Sequence, residues 1–187
     1  MTFRYKGTAY IFSFGFFAVL ALYLALDRNG AGIPVLLAAA VHEAGHILLI
    51  ANAGETVPAI RFAAFGIRME KRGMAGYLQE ALIYTAGPLA NLVTGAAAYL
   101  FLGPNLFSFA SLGLLIFNLL PVGRLDGGQL LRLLLCRWAP AHAARGMMAV
   151  GLAVLAPLFA VSLALLQNGN PSLLLTVVYL ALCLPGG

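Results

Sequence analysis

The chain has 187 residues, of which 62% are hydrophobic and only 9% are charged, and its mean hydropathy is +0.95. This composition excludes an ordinary soluble globular domain and is typical of a polytopic membrane protein. The net charge of +5 does not require nucleic acid as a partner, because the orientation of the chain in the membrane and contact with anionic lipid account for it.

Six apolar stretches are long enough, or nearly so, to cross a bilayer core about 30 Å thick. They are residues 10–26, 33–53, 81–102, 106–120, 147–166 and 172–184. We therefore expect an all-α polytopic membrane protein with about six transmembrane helices, of which the fourth and the sixth are the shortest.

The basic residues predict the orientation of these helices. With the amino terminus in the cytoplasm, ten of the eleven Lys and Arg residues fall in cytoplasmic segments, and only Arg28 lies outside. The positive-inside rule then places both termini in the cytoplasm. The expected location is a bacterial cell membrane that the chain crosses several times.

The second apolar stretch contains the sequence His42-Glu43-Ala44-Gly45-His46. On a helix the two histidines are one turn apart, so both imidazoles can share one tetrahedral Zn²⁺ ion. Glu43 then lies beside the metal, where a carboxylate can accept a proton from the water that attacks a peptide carbonyl. The alternative is a buried His–Glu pair satisfied between helices, but ionisable groups at mid-membrane favour a functional site.

The loop between the second and third stretches is too apolar for an ordinary surface loop. Polar and apolar residues alternate on both sides of Phe65-Gly66, which predicts a short hairpin at the inner membrane surface. Its exposed strand edge, around Phe62, Phe65, Gly66 and Ile67, is a candidate site for a substrate held in extended form. The same residues also permit a basic anchor for lipid.

The third stretch carries small residues every four positions, at Gly87, Asn91 and Gly95. Such a stripe allows two helices to approach closely. Asn91 and the later Asn118 are candidate donors to a substrate backbone or to a developing oxyanion. For each asparagine, a hydrogen bond between helices is the alternative.

A third metal ligand has to come from another segment, and Asp126 is the acidic residue with the most structured apolar context. Pro121, Gly123, Gly127 and Gly128 are expected to break the fourth helix at its cytoplasmic end. A carboxylate on a broken helix can reach an ion. The alternative is that Asp126 caps a helix beginning near Gln129.

Three segments together resemble the site-2 protease family of intramembrane zinc metalloproteases. They are residues 42–46 (His-Glu-Ala-Gly-His), 86–91 (Ala-Gly-Pro-Leu-Ala-Asn) and 118–128 (Asn-x-x-Pro-x-x-x-Leu-Asp-Gly-Gly), and they occur in the family's order. The resemblance implies that His42, His46 and Asp126 bind zinc and that Glu43 is the catalytic base.

The short chain also resembles the sporulation-type branch of that family, which processes a pro-sigma factor. Leu119 stands where many relatives have proline. We expect one membrane metalloprotease domain over residues 1–187, without a PDZ-like or a CBS domain. The expected partners are the bilayer, a membrane-embedded or membrane-associated substrate protein, and a possible membrane inhibitor or regulator. The alternative is a catalytically inactive, metal-binding membrane scaffold that holds a partner protein.

Overall fold

The computed structural model describes residues 1–5, 8–27, 29–52, 56–63, 66–72 and 76–184. The chain divides into two compact units, Met1–Leu115 and Ile116–Gly187. The first unit contains β1 (Thr2–Tyr5), β2 (Thr8–Phe12), α1 (Phe14–Leu26), α2 (Gly32–Asn52), β3 (Thr56–Ala63), β4 (Gly66–Arg72), α3 (Tyr77–Leu102) and most of α4 (Leu106–Asn118). The second unit contains the end of α4, α5 (Asp126–Trp138), a 3-10 turn (Pro140–His142), α6 (Ala143–Gln167) and α7 (Ser172–Cys183).

Three helical segments within the described ranges are long and apolar enough to cross a membrane. They are Gly32–Asn52, Tyr77–Leu102 and Pro140–Gln167. The helices α1, α4 and α7 are apolar but shorter. The mostly helical membrane architecture is therefore confirmed, whereas the count of six spans stays a prediction.

The first apolar stretch forms two elements instead of one. Residues 10–12 belong to β2, and α1 begins only at Phe14. Ser13 separates them: its hydroxyl accepts a hydrogen bond from the backbone N–H of Phe16 at 3.2 Å, which caps the helix. Its own N–H donates to the carbonyl of Phe62 at 2.9 Å, so the same residue also extends the sheet.

The expectation of a lone hairpin in an otherwise all-α protein was incomplete. β3 and β4 do pair antiparallel, with Phe62 opposite Ile67, but they belong to a four-stranded sheet in the order β1-β2-β3-β4. β2 pairs with β3 in parallel, with Ala9 opposite Ala59. Since β2 leads into α1 and β3 follows α2, the chain leaves the sheet, forms α1 and α2, and then returns to the sheet.

The sheet packs on α1 through aromatic rings. The ring centroids of Phe12 and Phe62 are 4.3 Å apart and nearly parallel, and Phe16 meets Phe62 edge-on at 5.4 Å. Aromatic pairs of this kind stabilise beyond the area that they bury. The side chain of Phe62 therefore has a structural role in this unit.

Asp27 connects α1 to α2. One carboxylate oxygen accepts from the N–H of Gly32 at 2.7 Å, and the other accepts from the N–H groups of Ala31 and Asn29. The hydrogen bond from Gly32 is the main reason that the pKa of Asp27 lies below its usual value. Asp27 thus caps the helix that carries the two histidines.

The small-residue stripe of α3 serves two neighbouring helices. Gly87 faces α2, whereas Gly95 faces α4, where a side chain would come within 2.7 Å of the Cβ atom of Ser111. Between α3 and α4 lies a cavity of about 390 Å³, with Asn91 and Ser108 among its lining residues. Most of its other walls are apolar.

The second unit has its own apolar core. Val122, Leu155, Val177 and Leu180 are buried in it. Val122 lies in the turn before α5, so this core also supports the segment that leads to Asp126.

Candidate metal centre

His42 and His46 are buried on the same face of α2. Their Nε2 atoms are 3.2 Å apart. A tetrahedral ion with Zn–N bonds of about 2.0–2.1 Å separates two ligand nitrogens by about 3.3 Å. The pair therefore has the spacing that a shared zinc ion requires.

The backbone of α3 sets the orientation of His46. Nδ1 of His46 lies 2.7 Å from the carbonyl oxygen of Ile83. A carbonyl can only accept, so Nδ1 is the donor and carries the proton. In a neutral imidazole held this way, the lone pair lies on Nε2, the atom that faces His42.

Gly87 gives the two imidazoles their room. A Cβ atom at this position would lie 2.8 Å from both Cε1 and Nε2 of His42 and would also overlap Nε2 of His46. Gly45 has the matching role on α2, because its Cβ would lie 2.6 Å from the carbonyl oxygen of Ala86. Two glycines, one on each helix, therefore allow α2 and α3 to meet at the histidines.

Asn91 is the buried polar residue of α3 nearest to His42. Its amide nitrogen lies 3.3 Å from Nδ1 of His42, and the residue is completely buried. Its amide oxygen has no hydrogen-bond partner among the described residues. Three residues of α3 thus contact the histidine pair: Ile83 contacts His46, Asn91 contacts His42, and Gly87 lies against both.

Glu43 follows His42 directly and is half-buried. Successive residues on a helix are rotated by about 100°, so its side chain leaves α2 beside the histidine face and not on it. In this position a carboxylate can act as a base beside the metal without displacing either histidine ligand.

Asp126 belongs to the second unit and is the first residue of α5, with Leu125 at the cap position. The turn before it is tight. Side chains at Gly127 and Gly128 would overlap backbone oxygens of the preceding turn, those of Leu119 and Gly123 among them. The glycines are therefore required for α5 to start at Asp126, and the alternative helix start near Gln129 is not found.

The other candidate residues are distributed over both units. Asn118 is half-buried and ends α4. Phe62 lies on the inner strand β3, while Gly66 and Ile67 begin the outer strand β4. Phe65 lies outside the described residues.

One functional contact could not have been found from side-chain types. The group that orients His46 is the main-chain carbonyl of Ile83, and no residue identity encodes it. The available signal was the spacing of four residues from Ile83 to Gly87 and from Gly87 to Asn91, which places all three on one face of a helix.

Parts of the chain are similar to known proteins. Residues 104–158, which include Asp126, match the model of peptidase family M50. Over 132 residues, the chain is 30% identical to stage IV sporulation protein FB from Bacillus subtilis (strain 168). That match covers 65% of this chain and 46% of the relative, so the chain spans about half the length of the relative.

The fold also matches a solved structure. The site-2 protease from Methanocaldococcus jannaschii superposes with a TM-score of 0.71, covering 98% of this chain and 93% of that one at 20% identity. The chain shares the fold of that protein. It therefore resembles the site-2 protease family, peptidase family M50, and its sporulation-type branch.

Proposed function

We propose that this protein is an intramembrane zinc endopeptidase. It hydrolyses a peptide bond in a membrane-embedded or membrane-associated protein, such as a pro-sigma factor or a membrane-tethered regulator. The observation that carries the proposal is the pair of Nε2 atoms 3.2 Å apart, next to Glu43, on a helix long and apolar enough to cross a membrane. The family similarity supports the same activity.

His42, His46 and Asp126 are the proposed zinc ligands. Two nitrogens and one carboxylate oxygen are a donor set known for catalytic zinc, with the fourth position left for water or substrate. The spacing of the histidines fits the ion. The glycines that start α5 at Asp126, and the resemblance of residues 118–128 to the family, support the third ligand.

Glu43 is the proposed general base. A zinc ion held by the three proposed ligands would lower the pKa of water and polarise the carbonyl that is attacked. Glu43 accepts the proton that this water loses and passes it to the leaving amide nitrogen. Asn118 is the proposed donor to the developing oxyanion, because the amide of Asn91 is directed to His42.

Substrate is proposed to bind in extended form at the sheet. β3 has a partner on each side, β2 and β4, so of the four described strands only β1 and β4 have an open edge. The proposed edge is therefore β4, which begins at Gly66 and Ile67. A segment added there regains the backbone hydrogen bonds that it loses when its helix unwinds.

The proposed topology has six membrane crossings, a helix broken between residues 118 and 126, and both termini in the cytoplasm. The parallel pairing of β2 with β3 supports it, since the strand that precedes α1 and the strand that follows α2 lie in one sheet. The cationic residues favour the cytoplasmic side for that sheet. The scissile bond is then cut near the cytoplasmic leaflet.

Co-expression with candidate membrane-tethered substrates tests the proposal. Wild type is compared with Glu43→Gln, and Glu80→Gln in the first turn of α3 is the matched control for loss of a carboxylate. We expect cleavage by wild type and Glu80→Gln, and a loss of several orders of magnitude in Glu43→Gln with zinc still bound. Persistent cleavage by Glu43→Gln would remove Glu43 as the base, and a wild type that binds zinc but cleaves none of the substrates would favour the scaffold.

A further inference from the structure

Asn91 and Ile83 occupy equivalent positions against the two histidines. Both lie on the face of α3 that meets α2, eight residues apart with Gly87 midway, and each contacts one Nδ1 atom: Ile83 that of His46 and Asn91 that of His42. The Ile83 carbonyl can only accept. The Asn91 amide can either donate or accept, depending on which end faces the ring.

The orientation of the Asn91 amide determines the tautomer of His42. With its nitrogen toward Nδ1, it donates and favours the imidazole that carries its proton on Nε2. With its oxygen toward Nδ1, it accepts, favours the proton on Nδ1 and leaves the lone pair on Nε2. The second tautomer is the one that can bind a metal through the atom facing His46.

Because Asn91 is buried, an unfavourable orientation of its amide has an energetic cost that water cannot compensate. Asn91 is completely buried, and its amide oxygen has no partner among the described residues. A buried imidazole N–H that faced an amide N–H would leave two donors opposed, with the desolvation of both uncompensated. A half-turn of the amide replaces this repulsion with an N–H···O hydrogen bond and needs no movement of either helix.

We infer that Asn91 is a positioning residue that sets the tautomer of His42 for zinc. When the metal binds, the Asn91 amide presents its oxygen to Nδ1 of His42, as the Ile83 carbonyl does to His46. The inference deepens the proposed function, on which it rests for the metal and for Nε2 as the ligand atom. It assigns Asn91 to the support of a ligand and not to contact with the substrate.

The direct test is the protonation of the two imidazoles, measured by ¹⁵N NMR of the purified, zinc-loaded protein with labelled histidine. We expect both His42 and His46 to carry a proton on Nδ1 and to bind through Nε2. His46 is an internal reference, because its partner is a backbone carbonyl that no substitution at Asn91 removes. Zinc bound through Nδ1 of His42 would overturn the inference without the need for any variant.

Variants then separate positioning from packing. Asn91→Asp keeps the acceptor and the shape, whereas Asn91→Leu keeps the number of side-chain heavy atoms and loses the acceptor. We expect zinc affinity to fall about 10- to 100-fold in Asn91→Leu, as for the loss of other groups that hydrogen-bond a ligand histidine, and to stay near that of wild type in Asn91→Asp. Ser111→Ala, at a fully buried serine opposite Gly95, is the control for loss of a buried polar group.

The outcomes are distinguishable from failure of the proposed function, because zinc affinity and tautomer are measured without proteolysis. A wild type that does not bind zinc would reject the metal site itself. If wild type binds zinc and folded Asn91→Leu binds it equally well, only the role of Asn91 is rejected. If Asn91→Leu does not fold, the comparison rests on Asn91→Asp, in which a loss of zinc comparable to that of His42→Ala would overturn the inference.

Discussion

The carbonyl oxygen of Ile83 accepts a hydrogen bond from Nδ1 of His46 at 2.7 Å, across the contact between α3 and α2. A main-chain group thus fixes a side chain that is a candidate metal ligand. A backbone carbonyl cannot rotate independently of its helix. The orientation of the His46 imidazole therefore depends on how closely α2 and α3 approach each other.

Gly87→Ala is expected to weaken zinc binding strongly. The added methyl group would meet both imidazoles, within 2.8 Å in the case of His42, so either the rings or the helices have to separate. Gly113→Ala is the matched control, since nothing lies within 4 Å of its Cβ position, and it should be neutral or stabilising by up to about 1 kcal/mol. The measurement is the zinc content and zinc affinity of the two purified variants. Equal affinity would contradict the close approach of the helices at Gly87.

Asp126→Ala is expected to lose zinc. With one of three protein ligands removed, the coordination of the ion is incomplete and its affinity falls. Asp126→Asn, which keeps the size of the side chain but not its charge, should show a smaller loss. Metal analysis after dialysis against a weak chelator measures both, and an undiminished zinc content in Asp126→Ala would reject this residue as the third ligand.

Asp27→Asn is expected to destabilise the protein in a manner that depends on pH. The hydrogen bonds donated by Gly32, the first residue of α2, and by the residues just before it lower the pKa of Asp27 in the folded state. The stabilisation is therefore fully present above the ordinary pKa of about 4. It is lost as the pH falls through the lower, folded-state value. Thermal unfolding in detergent should therefore show a gap between wild type and variant at pH 6 that narrows below pH 4, and a constant gap would contradict the capping role.

Proline substitutions on β4 test the proposed substrate edge. Successive N–H groups of a strand point to opposite sides, so of Ile67→Pro and Arg68→Pro, one removes a donor toward β3 and the other a donor at the open edge. We expect the proline that removes the N–H at the open edge to impair cleavage, while zinc content and unfolding temperature stay unchanged. The inward-facing proline should lower stability as well. Normal cleavage by both variants would exclude strand addition at this edge.

The apolar helices and the metal motif were predictable from the sequence because each rests on a local pattern. The spacing of His42 and His46 on a helix follows from the helical period alone, and the structure gives the ligand spacing that this period implies. The small-residue stripe was also read correctly as a site of close approach, although Gly87 and Gly95 turned out to face different helices.

The sheet was only half predictable, because pairing between distant strands leaves no local signal. Tyr10 and Ile11 are as apolar as the helix that follows, and their partners Ile60 and Arg61 are 50 residues away. The close contacts of positions 127 and 128 were not predictable either, because they arise from a turn whose backbone folds back on these two glycines. Such contacts become visible only when the fold is known.

The parallel pairing of β2 with β3 also constrains the order of biosynthesis. β2 leaves the ribosome before α1 and α2, but the strand that covers its second edge is made only after both helices. Until then the nascent β1–β2 ribbon presents an open row of amide and carbonyl groups beside the membrane, where it is exposed to wrong partners. Closure of the sheet therefore requires that both α1 and α2 have already been synthesised.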